Sequence, residues 1–302
     1  MIETTEVPLP AVLRAHAAWL ENPATGRRAN LSGRTMNETE LAGAMLRQAN
    51  LEDATLLDSN LAGADLSSTK MQRADLQRSN FAGADLSGAD LTQAILSGAM
   101  LQGGNLSEVI AIGATFRNAR LLRARMIEAE VRDSCFRQAN ASEASFHQSR
   151  FYDVDFSEAK LDDAIFYHAR LQHVRFIGVA ATSISFGGSK LDHCDFTRAI
   201  LTGSKFSRAE LAQCTFRNSD LRNCDFREAR VRGGDFAGAM MSGSRFGTAQ
   251  LVMANLRGAN LSGARELTSE QLSQALTDAT TILPNGSRGP FLRHSGAEKP
   301  KA

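Results

Sequence analysis

The chain carries almost no net charge: 34 Lys and Arg stand against 33 Asp and Glu, a balance of +1. No global field therefore draws it to nucleic acid or to an anionic membrane surface. Its four cysteines, Cys135, Cys194, Cys214 and Cys224, have neither zinc-site spacing nor a disulfide-framework pattern. They read as reduced thiols, which suits the cytoplasm. No apolar run reaches the roughly 20 residues that a membrane span needs. Met1-Ile2-Glu3 does not begin a basic segment leading into an apolar one, so no secretory signal is read. A phosphate-cradling loop and a nucleophile–base pair are also missing. The expectation is a soluble cytoplasmic protein with no enzymatic activity and no cofactor.

What is present is a count of five. From Leu31 to Leu261 every fifth residue is Leu, Phe, Met, Val or Ala, at 47 consecutive positions. Two residues before each of these centres stands a small residue, Ala, Ser, Thr, Gly or Cys at 41 of the 47. Asp or Asn recurs between the two, as in Ala64-Asp65-Leu66 and Ala259-Asn260-Leu261. Five fits neither the helical period of 3.6 nor the strand period of 2. A short extended piece followed by a turn does fit. Alternation then points the centre and the small residue inward together and leaves the other three outside. Gly recurs two residues after the centre (Gly33, Gly43, Gly63, Gly83), with Asp or Asn at other such sites, and these types accept the positive φ of a tight turn.

Sorting the centres in steps of twenty shows how many pentapeptides close a coil. One column is Phe from Phe116 to Phe236, and a second, ten residues out of step, is Phe from Phe146 to Phe246. The other two columns are mostly aliphatic. Four pentapeptides thus make a square coil with Phe stacks on opposite walls. Within it Ala141, flanked by Ala139, is expected to leave a loosely packed layer. The ends break the rule. Leu9, Leu13, Ala17 and Leu20, between Pro8 and Pro23, predict a short amphipathic helix whose task is to cover the first coil, with Trp19 packed against it. Thr268 to Gln271 forms a capping box, with Leu267 and Leu272 as its hydrophobic staple, and opens a second capping helix over Leu272, Ala275 and Leu276. We divide the chain into a lead-in over 1–28, the repeat over 29–264, a capping helix over 265–284 and a mobile tail over 285–302.

Tandem Ala-(Asp/Asn)-Leu-x-x units over almost 80 % of the chain resemble the pentapeptide-repeat family. The resemblance implies an all-β solenoid, a right-handed quadrilateral parallel β-helix. The repeat count gives about twelve four-sided coils, some 55 Å long at roughly 4.8 Å per layer, with short α-helical caps. The lead-in His16 to Leu31 and the closing Leu267 to Leu272 also resemble bacterial members, which implies a bacterial source.

That family includes proteins that protect bacterial type II topoisomerases, gyrase among them, by mimicking duplex DNA, an activity linked to quinolone resistance. A mimic needs anionic charge along much of its length. Here Leu51 to Ile110 has eight acidic and three basic residues, but Ala111 to Asn260 has sixteen acidic and twenty-one basic. Charge therefore disfavours gyrase binding, which remains the alternative reading. The outward column Asp133, Asp153, His173, His193 has one-coil spacing that a divalent metal could bridge, yet solvated turn residues account for it better. His147 and Tyr167 stack on another wall as surface residues, and Cys194, Cys214 and Cys224 occupy inward positions as buried small hydrophobes.

The favoured reading is a structural or interaction protein: a rigid rod offering flat walls to an unidentified protein partner or to a second copy of itself. Candidate contact residues fall in two groups. The apolar group lies on the wall with a smooth strip at Ala42-Gly43, Ala62-Gly63 and Ala82-Gly83, where Met100, Leu122, Ile200 and Met240 point outward, with Ile95, Ile110, Ile112 and Ile127 nearby. The basic group is Arg150, Arg170, Lys190, Arg230 and Arg232, with Arg132, Tyr152, His173 and His193 close by. Nucleic acid is an improbable ligand at this net charge.

Overall fold

A computed structural model describes residues 7–300. The first six residues of the expected lead-in, Met1-Ile2-Glu3 among them, and the last two of the tail lie outside the described residues. From Asn30↔Asn50 to Arg245↔Arg265, every parallel bridge joins residues twenty apart. Four pentapeptides close each coil, and the fold is a parallel β-solenoid.

The stack works because each pentapeptide satisfies its own amides. In Leu66–Lys70, the Leu66 and Ser68 N–H groups donate to Asp85 and Ser87 of the following coil, at 2.6 and 2.8 Å. Lys70 N–H donates back to Ala49 (3.0 Å), and Thr69 N–H closes the turn onto Leu66 (3.2 Å). The fifth, Ser67 N–H, is taken by the Asp65 side chain at 3.0 Å. The recurrent Asp or Asn before the centre is therefore an acceptor for the turn, in the manner of an Asx-turn. The corner that follows requires a left-handed residue. Every second position after a centre from Gly33 to Gly243 has φ between 49° and 72°. The sequence reading reserved these corners for Gly, Asp and Asn, but Arg73, Gln138, Glu158 and His173 take the same conformation. Cross-coil hydrogen bonding at each corner outweighs the cost of about 1–2 kcal/mol that a Cβ meets there.

On one wall the chain stays extended for longer. Strands β1 (Ile110–Ile112), β2 (Glu130–Arg132), β3 (Arg150–Tyr152), β4 (Arg170–Gln172), β5 (Lys190–Asp192), β6 (Glu210–Ala212) and β7 (Arg230–Arg232) form one parallel sheet in that order. In all seven the residue before the centre is Ile, Glu, Arg or Lys, so no Asp or Asn side chain there draws the next amide into a tight turn. The change is permissive only, since Lys160 on another wall also lacks an Asx yet keeps its turn. As a ladder of paired strands, the expected twelve coils are an overstatement. The ladder makes about six turns, and beyond it each wall is held by single-residue bridges because the turn takes two residues in five.

The core follows the columns. Successive rings from Phe116 to Phe236 stack at 4.5–5.3 Å between centroids. Those from Phe146 to Phe246 stack at 4.5–5.6 Å. The two stacks meet edge-on across the axis, as in Phe196–Phe206 at 6.3 Å and 89°. Ala141 does not sit in a slack layer as expected. Half a coil further on, Phe151 is buried with its ring among Phe146, Phe156 and Phe166, supplying the missing volume from the facing wall. Inward serines are satisfied as well: Ser59 Oγ donates to the Met36 carbonyl (2.8 Å) and accepts from Thr39 N–H (3.1 Å).

Helix α1 (Leu9–Glu21) covers the first coil through Leu9, Val12 and Leu13. Its inward face is rotated from the expected one, so that Ala17 is exposed and His16 is fully buried. His16 Nδ1 accepts the Ala29 N–H at 3.0 Å, and its ring stacks on Trp19. Gly26 passes so close to the helix that a Cβ would lie 2.1 Å from Trp19 N. At the other end, α2 (Ser269–Gln274) carries the expected capping box, with Leu267 and Leu272 buried. The helix is shorter than expected. Leu276 and Ile282 instead pair with Asn255 and Asn260 and continue the ladder. The tail expected to be mobile folds back on this end. Phe291 packs on the core, its N–H donating to Thr277, and Ala297 is buried.

Two outcomes follow. Phe176→Ala should lower stability by about 3–5 kcal/mol, as for a buried Phe emptied in a close-packed core, measured by denaturant unfolding. Burial is the main cause that holds the His16 pKa below its usual value, so the folded cap keeps this ring neutral. Its stabilising effect is complete above the unfolded pKa near 6.5 and declines as pH falls below it towards the lowered folded value. Thermal unfolding between pH 7 and 5 should therefore be less pH-dependent in His16→Gln than in the wild type. Parallel curves would refute this.

Candidate interaction wall

The β1–β7 wall is built by alternation. Each strand buries its centre and turns the residues on both sides outward, giving two outer columns at one-coil spacing. The basic candidates collect here. Arg150, Arg170 and Lys190 are direct neighbours in the ladder, with Glu130 before them and Glu210 after. Glu130 is engaged by Arg132 at 2.8 Å. Glu210 is shared by Lys190 (3.5 Å) and Arg230 (3.3 Å). Among the described residues no carboxylate lies within ion-pair distance of Arg150 or Arg170. Both are exposed, and with Arg132, Tyr152 and Gln172 they line a shallow depression of about 410 Å³. Tyr152 is 41 % exposed, an aromatic ring in water on an otherwise flat face. Its edge meets His173, whose ring lies 5.2 Å from that of His193. Several arginines elsewhere are held by carboxylates, some one coil away and some, such as Arg222 on Asp220, within their own coil. Arg73 bonds Asp53 and holds its carboxyl below the usual range, and Arg123 does the same to Glu143.

The apolar candidates do not come together. Ile110 and Ile112 belong to β1, on the same wall as the basic group. Met100 and Leu122 lie on the opposite wall, half a coil away, and both are half-buried. Ile200 and Met240 share that second wall, but Arg120, Asn140, Lys160 and Asp220 interrupt the row. Ile95 and Ile127 lie on the remaining two walls. A five-residue count places neighbours twenty residues apart; Met100, Leu122, Ile200 and Met240 follow that step onto one wall, whereas Ile95, Ile110, Ile112 and Ile127 are near them only in sequence. The feature missed in the sequence was the run of eight consecutive coils on the β1–β7 wall, from Ile110 to Gln250, without Asp or Asn before the centre, the first seven of which flatten.

The Asp133, Asp153, His173, His193 column sits in left-handed corners, as a turn column should. His193 turns to Asp192 (2.8 Å), and no group of three potential metal ligands forms among the described residues. His147 and Tyr167 stack at 5.7 Å. All four cysteines are free thiols. Cys194, Cys214 and Cys224 are buried and Cys135 is half-buried. Burial pushes the Cys194 and Cys224 thiols well above their usual range. No helix among the described residues is long and apolar enough to cross a membrane. In the folded protein, iodoacetamide should therefore label Cys135 first, the other three reacting only after denaturation. Mass spectrometry of tryptic peptides reads this directly, and rapid labelling of Cys224 in the native state would contradict it.

Comparison with known proteins agrees with the coil arithmetic. Residues 27–56, 59–98, 74–110, 105–140 and 139–178 match the family model for pentapeptide repeats, and residues 189–265 match that for a pentapeptide repeat region. Among solved structures, the chain is similar to HetL, a pentapeptide repeat protein involved in heterocyst differentiation regulation from the cyanobacterium Nostoc sp. strain PCC 7120. The identity is 24 %, covering 89 % of this chain and 97 % of HetL, with a TM-score of 0.29. Full-length QnrB1, a plasmid-mediated fluoroquinolone resistance protein, is 18 % identical over 71 % of this chain and 91 % of its own, with a TM-score of 0.20. Rfr23 from the cyanobacterium Cyanothece 51142 is 21 % identical over 37 % of this chain and 93 % of its own, with a TM-score of 0.18. No curated protein matches.

Proposed function

From the premise that this chain belongs to the pentapeptide-repeat family, we propose that it is a non-enzymatic interaction protein of the bacterial cytoplasm. It is a rigid rod that docks a protein partner on its β1–β7 wall. The observation that carries this reading is the pair Arg150 and Arg170, exposed and without carboxylate partners beside the exposed ring of Tyr152. The backbone of the wall is fixed by its parallel ladder, so binding would cost little ordering of the rod. Arg and Tyr are the residue types that dominate binding energy at protein interfaces, and two uncompensated guanidinium groups select an acidic surface. Mimicry of DNA against a topoisomerase would use anionic walls, and this wall has the opposite sign through its central coils.

Affinity capture from cells that express the protein naturally tests the wall. The double reversal Arg150→Glu, Arg170→Glu should remove the partner recovered with wild type. Arg120→Glu, Lys160→Glu on the opposite wall should leave it in place. Equal recovery by both variants would sink the proposal.

A further inference from the structure

One antiparallel register of the wall brings four kinds of opposite-charge pair together and opposes no like charges. We infer that the wall's partner is a second copy of this chain, laid face to face with its rod antiparallel. The two-fold axis runs parallel to the strands and passes between β2 and β3. This inference rests on the reading of the wall as a docking face.

The geometry follows from symmetry. A two-fold axis along the strand direction keeps each outer column opposite itself while reversing the order of the coils. Placed between β2 and β3, it sets Glu130 opposite the second copy's Arg150 and Asp90 opposite its Lys190. It likewise sets Lys70 opposite Glu210. In the other column Glu52 faces Arg232, and the Arg132 guanidinium faces the Tyr152 ring, an arrangement that favours a cation–π contact. Each pairing occurs twice, as an isologous interface demands. Along the whole wall, from Asn30 to Val252, no two like charges face each other in either column.

Slipping the copies by one coil destroys the match. With the axis on β2, Glu130 faces Glu130 and Lys70 faces Lys190. With the axis on β3, Arg150 faces Arg150 and Asp90 faces Glu210. Like charges set directly opposite are costly, so charge favours this register over its one-coil neighbours. Strands β1 to β4 meet their counterparts across the axis, so the flat part of the wall forms the centre of the contact, while β5 to β7 face the turn-built coils at Asp90, Lys70 and Asn50. The depression lined by Arg132, Arg150 and Tyr152 lies beside the axis. Arg150, which has no carboxylate in its own chain, acquires one from the second copy.

Sedimentation velocity over a range of protein and salt concentrations tests this. Wild type should dimerise at low salt and weaken at high salt, as screening shortens the range of exposed charges. Asp90→Lys and Lys190→Asp should each raise the dimer dissociation constant at least about tenfold. Combining them should restore it, because the swapped charges again face each other. Circular dichroism confirms that each variant is folded. A monomer under all conditions, or a dimer indifferent to the single reversals, would overturn self-pairing. Should the Arg150, Arg170 reversal still abolish capture of a different, acidic protein by such a monomer, self-pairing fails while the docking wall stands. Loss of neither would fail both.

Discussion

Everything in this molecule depends on the amide economy of five residues. In a pentapeptide such as Leu66–Lys70, three N–H groups reach a neighbouring coil, one closes the turn and one is taken by the Asx side chain where the sequence supplies one. With all five satisfied locally or by a neighbouring coil, the backbone can run through a thick stack without leaving a polar group unpaired. The inward residues are then free to be chosen for volume alone. That is why two continuous Phe columns and two aliphatic ones can fill the axis, and why a small residue such as Ala141 needs only a large one, Phe151, across from it.

The same economy explains what the amino-acid sequence declares and what it conceals. Inward positions obey a strict count, so the four-sided coil, the Phe stacks and the buried cysteines are all legible from spacing. The capping box at Thr268 is legible too, since its signal lies within four residues. Features set by relations between distant residues are harder to read. The rotation of α1 onto His16 depends on an acceptor for Ala29 N–H, thirteen residues away. The folding of Phe291 against the last coil depends on Thr277. Neither produces a local pattern.

The walls are intermediate. Their residues can be listed once the twenty-residue step is known, and the basic column Arg150, Arg170, Lys190 emerges from that step unchanged. The apolar grouping failed because Ile110 and Met100, near in sequence and alike in type, lie on opposite sides of the rod. What spacing did not disclose was which wall would flatten. That goes with a missing acceptor, repeated from Ile110 to Gln250, and an absence of hydrogen bonding is a weaker signal than a hydrophobic count. The consequence for function is direct, because a flat wall with two outward columns can meet a flat partner along its length.

The closing end of the rod has a further consequence. The Gln271 carboxamide donates to the carbonyls of Gly247 and Ala249, both at 2.8 Å, groups that another coil would otherwise bind. One side chain thus acts as a chain terminator. A stack of identical layers has no intrinsic length, and bare ends would add to one another as growing filaments do. Together with Leu276 and Ile282, whose N–H groups take the carbonyls of Ala254 and Ala259, the Gln271 amide helps keep the protein a molecule of defined size rather than a monomer of a fibre.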